Sequence, residues 1–188
     1  MSAVAVAVAL LGATACAGGG HPKAAAGTTA GSTTSTTSVA NTSTTVDATK
    51  AAILAAYRAS WADFLAVAET FPVKPLDSRL RDHDNGKELT GVQQALTRLS
   101  ALGHYNVGSP ELAPVVTSID HDTAVVTDCI FDHSMEVDAA THKPVEQPNV
   151  GHTLDRFVLT RSNGIWYVSD STILGSGRTG DACTPTAA

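Results

Sequence analysis

Positive charge and aromatic side chains are both scarce in this chain, and each shortage narrows what it can do. Twelve Lys and Arg stand against 18 Asp and Glu, a net charge of −6, and the basic residues form no cluster. A surface of that sign repels phosphate backbones and anionic headgroups, which excludes nucleic-acid binding. Two Trp, three Tyr and four Phe leave a core to be built mainly from Ala, Val and Leu. No G-x-S-x-G, P-loop or dinucleotide fingerprint occurs. Seven His are present, but none falls in an HExxH or H-x-H pair. His83 and His121 each stand between two Asp at expected turns, so neither a metal nor another cofactor is expected.

What is present begins with the N-terminus. Ala3 to Ala15 is uncharged and mostly apolar, followed by Cys16 and then Ala-Gly-Gly-Gly. The run is shorter than the about 20 residues a spanning helix needs, and it ends in small residues, as an export signal does. A cysteine directly after such a site resembles a bacterial lipobox, which implies lipidation of Cys16 and attachment to a membrane through acyl chains. No Lys or Arg precedes the run, and Ala13-Thr14-Ala15 also fits ordinary signal cleavage and secretion. Residues 1–15 are therefore read as a signal peptide, and 16–47 as the lipidation site followed by a tether. That tether is rich in Ala, Gly, Ser and Thr, buries too little apolar surface to offset its ordering entropy, and is expected to be disordered.

Residues 48–188 have one domain's length. With Cys16 assigned to lipidation, Cys129 and Cys183 remain as an even pair in an oxidising compartment, and a disulfide between them is expected. A helix is expected from an Asp47 cap, its stripe formed by Ile53, Leu54, Tyr57, Trp61, Phe64, Leu65 and Ala68 and its end set by Pro72 and Pro75. A short turn of helix follows over 77–83, then a third helix over 87–102 with Leu89, Val92, Leu96 and Leu99 on one face and Gly103 at its stop. Strands are expected over 115–119, 124–135, 152–161 and 165–174, joined at Asp120-His121-Asp122 and Ser162-Asn163-Gly164. Helices followed by a hairpin-linked meander give an α+β fold with N-terminal helices packed on a curved antiparallel sheet.

That order resembles the nuclear transport factor 2-like superfamily, and within it a group of exported actinobacterial lipoproteins. The resemblance rests on Tyr57-Arg58-Ala59-Ser60-Trp61, Thr127-Asp128-Cys129, Gly164-Ile165-Trp166-Tyr167-Val168 and Cys183. It implies a cone formed by a curved sheet wrapped around the first helix. Enzymes of the superfamily place an Asp, sometimes with a His, inside the cone to move a proton. The resemblance therefore makes Asp128, Asp132 and His133 on the central strand, and His152, Asp155 and Asp170 on its neighbours, the residues to examine. Strand alternation puts Asp128 and Asp132 on one face and Cys129 and His133 on the other, with the inner face left open.

Tyr57, Trp61 and Trp166 complete the candidate pocket, although aromatics under a sheet also serve simply as core. Two functions compete. One is a membrane-tethered, non-catalytic envelope module that binds a partner protein or a small apolar ligand. The other is an extracytoplasmic isomerase or dehydratase with a strand Asp as general base. A homodimer built through the sheet is a further possibility.

Overall fold

A computed structural model describes residues 39–145, 151–177 and 183. The signal, Cys16 and residues 17–38 of the expected tether lie outside them. Helix α1 runs Val39–Ala68, beginning about two turns before Asp47. Residues 39–47, read from composition as tether, are thus helical. Once the Ala-rich segment behind them is nucleated, each further residue adds a hydrogen bond at little cost. Residues 45–47 of this extension are exposed, so burial does not hold them. By length and composition Thr45–Ala68 could cross a membrane, but Ile53, Tyr57, Val67 and Ala68 on it are buried in the protein's own core.

Helix α2 spans Leu80–His83 and α3 spans Gly86–Leu102. Gly103 ends α3 in the left-handed conformation at φ 71°, its N–H reaching the carbonyls of Leu99 and Ser100, as the stop signal required. The strands are β1 His104–Val107, β2 Pro114–Asp120, β3 Thr123–Asp132, β4 Met135–Asp138, β5 Lys143–Pro144, β6 Gly151–Ser162 and β7 Ile165–Gly177. The main sheet is antiparallel in the order β2-β3-β6-β7, and a second, small sheet has the order β1-β4-β5. The fold is α+β, with the N-terminal helix packed against antiparallel sheets.

The expected meander needs one correction. The apolar stretch 124–135 is not a single strand: at Asp132 its side-chain Oδ1 accepts the Ser134 N–H at 2.9 Å and the chain leaves the sheet. Met135–Asp138 then pairs with β1, so the path from β3 to β6 makes an excursion through the second sheet. Hairpin turns lie where expected, with His121 (φ 51°) and Asn163-Gly164 (φ 52° and 84°) in left-handed conformations.

Two cores result. Ile53 and Tyr57 of α1 pack on Ala124, Val126, Ile130, Phe157, Leu159, Trp166 and Val168 of the main sheet. Val67 and Ala68 at the far end of α1 pack with Val73, Leu80, Leu96 and Leu99, and Leu89 and Val92 of α3 flank that cluster. The start of α3 is pinned to β7. The Asn85 N–H donates to the Val168 carbonyl at 2.9 Å, and a Cβ on Gly86 (φ 56°) would stand 3.0 Å from the Ser169 carbonyl oxygen. Ser169 is the extra residue of a bulge, since Val158 pairs with Asp170 but Leu159 with Val168.

Candidate functional site

Burial along β3 resolves which face is inner. Ala124, Val126, Asp128 and Ile130 are buried, and the intervening residues face outward. Asp132 shares their parity but lies at the strand's end, exposed, and does not join the other candidates. Trp166 is buried in the main core, with the Arg161 guanidinium 5.9 Å from its ring. Tyr57, Trp61 and Asp128 are brought together.

They form a chain of hydrogen bonds. The Trp61 indole N–H donates to the Tyr57 hydroxyl at 2.8 Å, and that hydroxyl donates to Asp128 Oδ2 at 2.6 Å. The Ala113 N–H donates to Asp128 Oδ1 at 2.6 Å. Burial pushes the Asp128 carboxyl above its ordinary range, partly countered by those two donors and by the charge of Arg58. Burial, then the bond to Asp128 and its charge, push the Tyr57 phenol far above its own range, with a small opposing effect from Trp61. The phenol therefore remains a donor throughout the physiological range. Both Asp128 oxygens accept hydrogen bonds from within the protein, and the residue is fully buried.

A second buried carboxylate was not read from the sequence. Asp84, 2% exposed, accepts the Ser60 hydroxyl at 2.6 Å on Oδ1, while Oδ2 has no partner among the described residues. Burial raises its pKa to about 6, the Ser60 bond opposing and the charges of Glu88 and Asp63 adding. A carboxyl whose folded pKa is raised stabilises the fold below its unfolded pKa, and that stability is lost as pH rises through about 6. Asp84 should therefore cost wild type up to about 3 kcal/mol between pH 4 and 7. Urea unfolding of wild type and Asp84→Asn across that window checks this. The variant's stability should fall less steeply with pH; parallel curves would remove Asp84 from the explanation.

Beside these groups a cavity of about 420 Å³ opens between α1, α3 and the β6–β7 hairpin. Its floor is mainly apolar, formed by Trp61, Phe64, Val92 and Phe157 beside the buried Ser60. Its mouth is mostly polar, with Lys87, Glu88, Asp170 and Ser171 beside the exposed Ala95. Lys87 Nζ meets Asp170 Oδ2 at 3.0 Å. Burial lifts the half-buried Glu88 carboxyl, a bond from the Ser171 hydroxyl opposes, and Asp170 adds to the lift. Gly91 also lines the space, and a Cβ built there meets nothing within 4 Å.

Of the sequence candidates, Trp61 and Asp170 line this cavity. The others were missed because it is made by α3 closing on β7, a contact that local periodicity does not encode. The one available signal was Gly91, an interior helical glycine, which weakens a helix by about 1 kcal/mol relative to Ala.

On the outer face, Cys129 and Cys183 form a disulfide with a Cα separation of 5.3 Å, within the ordinary range. This fits an oxidising, extracytoplasmic compartment. A ring nitrogen of His152 lies within 4.8 Å of both sulfurs. The sulfurs are bonded to each other, so neither is a thiolate ligand for a metal. Phe131 lies against both His152 and His133, with ring centroids 4.6 and 5.6 Å away.

No family model matches the chain, and no curated protein matches it either. Among solved structures, the intermembrane space region of the chloroplast protein ARC6 is similar, with a TM-score of 0.49 and 14% identity over 73% of this chain and 97% of that one. A protein from Novosphingobium aromaticivorans described as an aromatic ring hydroxylase gives 0.42 and 15%, over 72% and 96%. Likeness at this level transfers neither activity nor partner.

Proposed function

We propose that this chain is a lipid-anchored, extracytoplasmic binding module of the nuclear transport factor 2-like kind, whose cavity between α1, α3 and β7 receives a small apolar ligand. One observation carries the reading: the apolar-floored, polar-mouthed cavity of about 420 Å³, a size and lining typical of small-molecule sites. Cys16 behind an export signal supplies the anchor. Binding is favoured over proton transfer because Asp128 has both oxygens engaged by Tyr57 and Ala113, and Asp132 lies exposed at the end of its strand.

Filling the space is the test. Gly91→Leu directs a side chain into it with no clash at Cβ, and replacing an interior helical glycine favours the folded state. The variant should melt no lower than wild type yet lose binding of a neutral solvatochromic dye such as Nile red. Equal dye binding by two equally stable proteins would contradict a ligand site in this cavity.

A further inference from the structure

We propose that the cavity selects an organic ammonium: a small amine or quaternary cation carrying an aryl or alkyl body. This rests on the cavity being the binding site and adds the class of ligand it takes. The apolar floor presents three aromatic rings, Trp61, Phe64 and Phe157. Trp61 is fixed by its bond to Tyr57 and meets Phe64 edge-on at 6.0 Å. Aromatic faces attract cations that have shed part of their water.

The charges around the space have the matching sign. Two carboxylates, Glu88 and Asp170, and one ammonium, Lys87, line it. Lys87 is 83% exposed and already paired with Asp170, which leaves the half-buried Glu88, bonded to the Ser171 hydroxyl, without an ion-pair partner among the described residues. Behind Ser60 stands Asp84, nearly fully buried, whose Oδ2 has no partner among the described residues. The Glu88 charge acts on both Asp84 and Asp155, and Asp170 acts on Glu88. From α1, Asp63 is paired with His83 of α2 at 2.7 Å. Two features oppose a cation, Lys87 itself and the N-terminus of α3. The first is largely exposed and its charge is met by Asp170, and the second is a partial charge of about half that of Glu88 in its first turn. A cation in the cavity would relieve repulsion among several carboxylates at once, whereas an anion would add to it.

An apolar body on the ammonium is required to use the floor. A phospholipid headgroup carries its ammonium at the end remote from its acyl chains, so it does not meet that requirement.

Three soluble probes of equal size separate the possibilities: 2-phenylethylammonium, 2-phenylethanol and phenylacetate, titrated calorimetrically at pH 7.5 into wild type, Glu88→Gln and Gly91→Leu. The ammonium should bind wild type about five- to tenfold more tightly than the alcohol, and the anion most weakly. Glu88→Gln should erase most of the advantage while leaving the alcohol's affinity unchanged. Equal affinity for alcohol and ammonium, with both lost in Gly91→Leu, would overturn the cation preference and leave the cavity standing. Tightest binding of phenylacetate would overturn it as well. Binding of every probe undiminished in Gly91→Leu would overturn both.

Discussion

Cys183→Ser should lower the unfolding free energy by about 2–5 kcal/mol, one of the two largest effects expected of any single substitution here. The bridge joins residues 54 apart in sequence, and closing a loop of that length removes about 4 kcal/mol of unfolded-state entropy in the chain-entropy model. Cys129 sits on β3, which is paired on both sides, to β2 and β6, so one end of the link is immobile. The other end lies beyond β7, in a segment rich in Gly and Thr. Such a segment has little apolar surface of its own to bury. Urea unfolding of oxidised wild type, reduced wild type and the variant provides the check. Reduction should bring wild type down to the variant's level. A loss below about 1 kcal/mol would mean that the unfolded chain is already compact or that the bridge does not constrain it.

Tyr57→Phe should cost about 2–4 kcal/mol at neutral pH. The substitution keeps the ring, which packs edge-on against Phe157 with centroids 4.9 Å apart, and removes only the hydroxyl. That hydroxyl serves two partners: Asp128 loses a 2.6 Å donor on a fully buried oxygen, and Trp61 loses its acceptor. Because the bond favours the ionised carboxylate, its loss raises the Asp128 pKa further, and the penalty should shrink as pH falls through that range. A double-mutant cycle with Asp128→Asn isolates the pair. In that background Tyr57→Phe should cost about 1 kcal/mol, well below its cost alone. Strict additivity would show that the two groups do not interact as the distance implies.

Helix α3, its Gly103 stop and the four strands of the main sheet were legible because each is set by local pattern: three- and four-residue steps from Leu89 to Leu99, alternation through β3, and turns at His121 and Asn163. The features that sequence reading missed depend on contacts between distant segments. β4 reads as a continuation of β3 until Asp132 captures the Ser134 N–H, and β1 has no signal apart from its partner. The early start of α1 in a Thr- and Ser-rich stretch follows from helix propagation, which composition does not report.

Within the site, Tyr57 and Asp128 were recognisable as residues of interest, but not as each other's partners. Their hydrogen bond spans 71 positions. Alternation grouped Asp132 with Asp128 correctly by face and could not place the end of the buried layer between them. Lys87, Glu88 and Ser171 looked like ordinary surface residues until Gly86 and Asn85 seated α3 on β7.

The most direct measurement is the set of intermolecular NOEs from the aromatic protons of 2-phenylethylammonium to assigned methyl groups. Ligand in the cavity between α1, α3 and β7 should give contacts to the methyls of Val92 and Ala95 and to the Trp61 ring. Contacts confined to Leu76 and Thr97, which line the wider, shallower cleft beside Pro75, would contradict the assignment of this cavity as the binding site.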